Sequence, residues 1–206
     1  MEKSLKTLLL TSLLVIPLSL AGCGTTPSTR FYSLSAESAA VQAASPDNST
    51  IIGIGPVEVA PYLERSQIVI RTDDTRLSLT EFDRWAEPIE NNIANVLAVN
   101  LSRLLPETQP IVRPWTDAGA DYHVVIKFLR FDSDEAGNVT LNANWGIQQH
   151  SSRSMPVIRH AGIIQPGSGK DFESITKTLS MTLALLSEQI ANELKIVMEN
   201  NAAATD

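Results

Sequence analysis

Apolar residues recur every three to four positions in two segments, and each segment is predicted to be a helix. In the first they stand at positions 85, 89, 93, 97, 101 and 104, and in the second at 172, 175, 179, 183, 186, 190, 194 and 197. Both spacings place one apolar stripe on one helix face. Pro88, which suits a first helical turn, and Pro106, which ends the segment, place the first helix at about 87–105. The second is predicted at about 171–199, with Asp171 as its cap and the N–H groups of Glu173 or Ser174 as donors.

The first predicted helix carries an unusual number of asparagines opposite its apolar stripe, namely Asn91, Asn92, Asn95 and Asn100. Asparagine is a mediocre helix former. These residues therefore predict either a face wetted by solvent or a hydrogen-bonding contact between subunits.

Other segments alternate between apolar and polar residues or are rich in β-branched residues, and these are predicted to be strands. They lie at about 30–34, 50–60, 67–71, 76–80, 111–113, 122–131, 139–149 and 155–165. The segment 122–131 holds apolar groups on both sides, which indicates a central strand, whereas Gly53 and Gly55 predict a bend in the segment 50–60. The order of strands and helices predicts an α+β fold, with a mostly antiparallel sheet and both helices packed on one face.

The amino terminus has the three parts of an export signal. Lys3 and Lys6 precede an apolar run, and Leu20-Ala21-Gly22-Cys23 ends it like a bacterial lipobox. We therefore expect a signal peptide at 1–22, a lipidated Cys23 with a flexible tether to residue 30, a single periplasmic domain at 31–200 and a frayed tail at 201–206. The alternative is an ordinary secretory signal in which Cys23 stands at the cleavage site by chance.

The excess of acidic over basic residues limits the classes of partner that the protein is expected to bind. Without residues 1–22, which hold two lysines and one glutamate, 14 basic and 22 acidic residues remain of the 16 and 23 in the whole chain. Such an acidic protein is a poor candidate for binding nucleic acid or anionic headgroups. Membrane association is therefore expected to depend on acyl chains at Cys23, the sole cysteine.

We find no residue pattern that predicts catalysis. His123, His150 and His160 do not stand at metal-ligand spacing, and no Gly-x-Ser-x-Gly elbow is present. The acidic groups Asp73/Asp74 and Asp132/Asp134/Glu135 are predicted to lie in turns and to form local hydrogen bonds. The sequence therefore predicts no enzyme, no metal site and no cofactor beyond the covalent lipid.

Several blocks resemble the ABC-type transport auxiliary lipoproteins, also called PqiC-like lipoproteins. They are the lipobox with Phe31-Tyr32-Ser33-Leu34, the strand Ile52-Gly53-Ile54-Gly55-Pro56-Val57, the motif Pro61-Tyr62-Leu63-Glu64-Arg65, the block Phe82-Asp83-Arg84-Trp85-Ala86-Glu87-Pro88 and the helix that opens with Asp171-Phe172. The resemblance implies a non-catalytic component of a mammalian-cell-entry (MCE) system for lipid transport between membranes. It also implies an outer-membrane anchor and a homo-oligomeric ring that meets the periplasmic end of an MCE tunnel. Gly24, in place of an aspartate after the cysteine, favours the outer membrane by the same resemblance.

Four residues in the shared blocks are candidate oligomer or partner contacts. Tyr62 and Leu63 follow a proline at a strand end, where they either meet a neighbouring subunit or pack over the sheet edge. Trp85 begins the first helix's apolar stripe as a core residue or an interface residue, and Arg84 could pair with Asp83 or Glu87. Two other functions stay open: a monomeric periplasmic lipid or ligand carrier, and an envelope hydrolase that uses a histidine beside a carboxylate.

Overall fold

A computed structural model describes residues 27–37, 50–112, 119–150 and 154–203. Within these ranges the chain forms eight strands and two α-helices. The strands are β1 (Arg30–Tyr32), β2 (Thr50–Glu58), β3 (Gln67–Arg71), β4 (Leu77–Trp85), β5 (Thr108–Val112), β6 (Tyr122–Asp134), β7 (Val139–Gln149) and β8 (Val157–Gln165). The helices are α1 (Ile89–Leu104) and α2 (Phe172–Ala203), and a 3-10 turn covers Pro61–Leu63.

The long strand β6 organises the sheet, as the apolar residues on both of its sides predict. Its whole length pairs antiparallel with β7, which pairs antiparallel with β8. The other edge of β6 is shared: β2 pairs parallel with its first half, and β3 pairs parallel with its end. Beyond these lie β5 next to β2, and β4 and β1 next to β3. The sheet is thus mixed, and its longest pairings are antiparallel.

One continuous core lies between the sheet and the two helices, which confirms the predicted α+β class. Alternate residues of the strands face the helices because side chains of a strand point to opposite sides of the sheet in turn. Fully buried members from the strands are Ile52, Ile54, Phe128, Leu141 and Ile147, and from the helices Ile93, Leu97, Leu101, Leu179 and Leu183. The apolar stripes predicted from the sequence are therefore the buried faces of both helices.

The segment before α1 corrects the sequence prediction. The predicted strand 76–80 continues as β4 to Trp85, so Trp85 ends a strand and does not begin the helical stripe. The helix starts only at Ile89, because the carbonyl of Pro88 accepts the first N–H groups, those of Asn91 and Asn92. The end of β4 is rich in polar residues, so the sequence pattern does not show it as a strand. Pairing with β1 on one side and with β3 on the other holds this end in the sheet.

Candidate functional site

The expected lipid attachment point, Cys23, lies outside the described residues, as do the predicted signal peptide and the first part of the tether. The described chain reaches the sheet through β1, which pairs parallel with the end of β4. Arg30 donates to the carboxylate of Asp83 from Nε at 2.8 Å and from Nη2 at 3.1 Å. The hydroxyl of Tyr32 donates to the same carboxylate at 2.9 Å. A buried aspartate therefore fixes the end of the tether to the sheet edge.

Asp83 also changes the protonation behaviour of its partners. The hydrogen bond and the charge of Asp83 raise the pKa of Arg30. Burial and the hydrogen bond to Asp83 raise the pKa of Tyr32. Both groups consequently keep their protons and their hydrogen bonds at neutral pH.

After β1, the chain lies against both helices in a segment that we call the strap, residues 33–36. The N–H of Leu34 donates to Oδ1 of Asn92 at 2.7 Å, and the N–H of Ser35 donates to Oγ of Ser180 at 3.1 Å. Nη1 of Arg103 donates to the carbonyl of Ala36 at 3.1 Å. The Leu34 side chain is buried in the core. The strap therefore connects the beginning of the domain to α1 and α2.

The strap also corrects the interpretation of the asparagines of α1. Asn92 and Asn100 are buried, and Nδ2 of Asn100 donates to Oγ of Ser187 on α2 at 3.1 Å. For these two residues, the prediction of a wetted face or a subunit contact is wrong, because the strap and α2 cover that side of the helix. Asn91 and Asn95 are exposed.

The four candidate contact residues lie in two neighbouring segments. The N–H of Trp85 donates to the carbonyl of Ser66 at 2.7 Å, and Arg84 is the register partner of Gln67, so the end of β4 adjoins the chain that follows Tyr62 and Leu63. Leu63 and Trp85 are buried in the core, whereas Tyr62 and Arg84 are half-buried.

Arg84 does not have the partner that the sequence suggested. Its Nε donates to the carbonyl of Glu81 at 3.4 Å. The carboxylate of Asp83 is instead bound by Arg30 and Tyr32.

A charged cluster beneath the 3-10 turn is an element of the structure that sequence reasoning missed. The carboxylate of Asp132 is buried and accepts from Nη2 of Arg71 at 2.9 Å, from Nε of Arg130 at 2.9 Å and from the hydroxyl of Tyr62 at 2.7 Å. Asp132 was predicted to lie in a turn, but it belongs to β6, and the turn begins after Asp134. The cluster joins the 3-10 turn, β3 and β6.

The cluster has a strong effect on Tyr62. Burial, followed by the hydrogen bond to Asp132 and the charge of that carboxylate, raises the pKa of Tyr62 to about 12. The neutral phenol can donate to Asp132, whereas a phenolate would be repelled by it. Tyr62 therefore remains a hydrogen-bond donor across the physiological pH range.

Two of the three histidines lie beside each other, and the third contacts an asparagine. His123 is buried with its ring centroid 6.2 Å from that of His150, and Nδ1 of His160 lies 3.0 Å from Oδ1 of Asn144. Among the described residues, no group of three or more His, Cys, Asp and Glu side chains is placed to hold a metal ion. Neither helix in that part of the chain is long and apolar enough to cross a bilayer.

The sheet face opposite the helices is partly apolar toward its β8 edge. Ile158 and Ile164 of β8 are 67% and 75% exposed, and Met155 just before this strand is also exposed. An open pocket of about 280 Å³ is lined by Met155 and Ile158, together with Pro56, Val125 and Gly146 among others. The alternation of residues 155–165 indicates this exposed face, because every second residue of a strand with one covered face must point outward.

Comparisons with known proteins agree on one relationship. Residues 32–191 match the family model described as the ABC-type transport auxiliary lipoprotein component. The chain is 23% identical over 182 residues to the intermembrane transport lipoprotein PqiC of Escherichia coli K12, which covers 88% of this chain and 95% of that protein. PqiC of Shigella flexneri matches to the same extent.

A solved structure shows the same fold. The crystal structure of protein XCC0632 from Xanthomonas campestris superimposes with a TM-score of 0.68 at 17% identity, over 84% of this chain and 99% of that one. A second crystal structure, of an uncharacterized protein, gives the same TM-score at 20% identity, over 82% and 99% of the two chains.

Proposed function

Because the chain belongs to the ABC-type transport auxiliary lipoprotein family, we propose that it is a non-catalytic component of an MCE lipid-transport system. In this proposal, acyl chains on Cys23 anchor the protein to the periplasmic face of the outer membrane. The folded domain forms a homo-oligomeric ring that docks an MCE-domain protein and takes part in lipid traffic between the membranes. The observation that carries the proposal is the family match over residues 32–191, together with the lipobox in front of it.

The attachment of the domain to its tether supports an anchoring role. Pairing with β4, the ion pair between Arg30 and Asp83 and the strap all hold the start of the domain. A force applied through Cys23 would therefore reach the sheet and both helices together. An anchored docking component needs such a connection, because the lipid must position the whole domain.

The outer strand β8 supplies a surface for assembly. One edge of β8 pairs with β7, and no described strand pairs with its other edge. Exposed edge strands readily pair with another chain, and Ile158 and Ile164 add apolar surface there. We propose that a second copy of the chain covers this edge in the ring.

The four residues expected to contact other subunits differ in how much of their surface a partner could reach. Tyr62 and Arg84 keep part of their surface exposed, so they remain proposed contacts with a subunit or an MCE protein. Leu63 and Trp85 are buried and contribute to such a contact mainly by shaping the turn and the end of β4. An open pocket of about 380 Å³ beside Trp85, lined by Glu64, Arg65, Glu87 and Glu90 among others, lies next to these residues.

The test uses full-length protein expressed in a Gram-negative host and extracted from separated membranes. We expect mass spectrometry to find acyl chains on Cys23, and we expect the protein in the outer-membrane fraction. Light scattering should give a homo-oligomer that binds the MCE-domain protein of the same system. Cys23→Ser is the matched control and should lose the lipid and the membrane association.

Two results would contradict the proposal. A strictly monomeric acylated protein that never binds an MCE protein would exclude the ring and its docking function. A monomer that co-purifies with bound lipid would support the alternative function, a periplasmic lipid carrier.

A further inference from the structure

Phe31 is an aromatic residue that the fold leaves 66% exposed. It is the middle residue of β1, the outermost strand beside β4. Its neighbours Arg30 and Tyr32 both reach Asp83, so alternation along the strand points Phe31 to the other side. Single exposed apolar residues are common in proteins, and the argument therefore depends on where this one is held.

Phe31 is held close to the expected lipid anchor. It stands eight positions after Cys23, and a fully extended chain of that length spans at most about 28 Å. The described chain begins at Pro27, four residues from Cys23, which corresponds to at most about 14 Å. Because β1 is fixed to β4 by backbone pairing and by Asp83, a lipid on Cys23 would hold this edge of the sheet near the bilayer surface.

We propose that Phe31 inserts into the boundary between headgroups and acyl chains of the membrane that carries the lipid of Cys23. The inference rests on the acylation of Cys23 in the proposed function. An apolar ring that is exposed in water gains by burial at this boundary, as aromatic residues on peripheral proteins do. With the lipid as one point of attachment and Phe31 as a second, the domain would have a defined orientation on the bilayer.

The charges around Phe31 predict which lipid headgroups its insertion requires. Arg84 is its register partner on β4, and the acidic residue Glu81 lies on the same strand. Arg30 is neutralised by Asp83. This mixture of charges gives no preference for anionic headgroups, so insertion should occur in zwitterionic phosphatidylcholine.

The opposite edge of the sheet serves as an internal reference. The strand order from β1 through β4, β3, β6 and β7 to β8 comprises five spacings, or about 24 Å at the usual distance between paired strands. Ile164 on β8 is as accessible as Phe31 in a single copy of the chain, but it lies at the far edge, where the proposed ring would cover it with a second copy. It should therefore remain outside the bilayer when Phe31 is inside.

The experiment places a tryptophan at each of these positions in the full-length, acylated protein. Phe31→Trp and Ile164→Trp are reconstituted in phosphatidylcholine vesicles with or without bromine on the acyl chains. The wild-type protein, with its three tryptophans, supplies the baseline. We expect brominated lipid to quench the additional emission of Phe31→Trp but not that of Ile164→Trp.

The outcomes separate this inference from the proposed function. If mass spectrometry finds the lipid on Cys23 and the emission of Phe31→Trp is not quenched, the inference is wrong while the anchor stands. Emission that is shifted to the blue without quenching would mean that protein, such as a second copy, covers residue 31, which also overturns it. If Cys23 carries no lipid, the proposed anchor and the inference both fail.

Discussion

At the scale of single residues, two buried aspartates hold together parts of the chain that lie far apart in sequence. Asp83 binds residues of β1, and Asp132 binds the 3-10 turn and β3. A buried carboxylate is expensive to desolvate and is retained only with strong partners. Each aspartate meets this condition with arginine and tyrosine donors.

Asp132→Asn should therefore be strongly destabilising. The change leaves Arg71 and Arg130 without their common anion, and their side chains are only 18% and 31% exposed. We expect a loss of about 3 kcal/mol in the free energy of unfolding, at the low end for a broken buried pair because water reaches both guanidinium groups. Urea denaturation measures this loss. The exposed Asp74→Asn is the control, with an expected change within about 0.5 kcal/mol, and equal effects of the two substitutions would contradict the cluster's role.

The phenol of Tyr62 should lose its proton at a higher pH than an ordinary tyrosine. Burial and Asp132 raise its pKa to about 12, so the group stabilises the fold fully below its ordinary pKa of 10.0 and loses this contribution as pH rises through about 12. Absorbance of the phenolate, followed from pH 8 to 13, should show a late component that Tyr62→Phe removes. A Tyr62→Phe curve with the same late component would show that another group produces it, for example Tyr32, whose pKa is also raised.

At the scale of elements, the strap explains why α1 carries buried asparagines. The amide of Asn92 satisfies the N–H of Leu34 and also donates to Ser33 and Glu87. The strap has no regular secondary structure to bind its own polar backbone groups. It can lie against the helices because side chains of α1 and α2 satisfy these groups.

Asn92→Ala should consequently detach the strap. The substitution leaves the buried N–H of Leu34 without its acceptor, and a loss of about 1–3 kcal/mol in unfolding free energy is expected. Hydrogen exchange at Leu34 should accelerate at the same time. Asn91→Ala, one position away and exposed, is the matched control; unchanged exchange at Leu34 in Asn92→Ala would contradict the assignment.

The cap at the start of α2 predicts how the stability of the protein changes at acidic pH. The N–H and the hydroxyl of Ser174 donate to the carboxylate of Asp171 at 2.9 Å and 2.7 Å, which confirms the predicted cap. These hydrogen bonds lower the pKa of Asp171 from its ordinary 3.8. A lowered pKa means that this stabilisation is present above pH 3.8 and is lost as pH falls through the lower value in the folded state. Asp171→Asn can cap without ionising. Unfolding measured between pH 2 and 7 should therefore show a smaller acid loss in Asp171→Asn than in the wild type, whereas parallel curves would exclude the charged cap.

At the scale of the whole molecule, sequence periodicity predicted the elements but not the interactions that join distant parts of the chain. Both helices and the central strand were predictable because burial of one face imposes a period on the residues. The extension of β4 to Trp85 depends on β1, whose Arg30 is 53 positions from Asp83. Asp132 resembled a turn residue because its partner Arg71 is 61 positions away. Such pairings leave no local pattern.

The exposed edge at β8 gives a last prediction about assembly. If this edge pairs with a second copy, Ile164→Lys should place a hydrated charge inside the contact and convert the homo-oligomer to monomers. The folded monomer should change little in stability, within about 1 kcal/mol, because Ile164 is 75% exposed and loses mainly strand propensity. Val99→Lys on α1 changes an exposed apolar residue away from this edge and should leave the oligomer intact. Light scattering of the detergent-extracted proteins compares the two, and an Ile164→Lys oligomer of wild-type mass would mean that subunits meet through another surface.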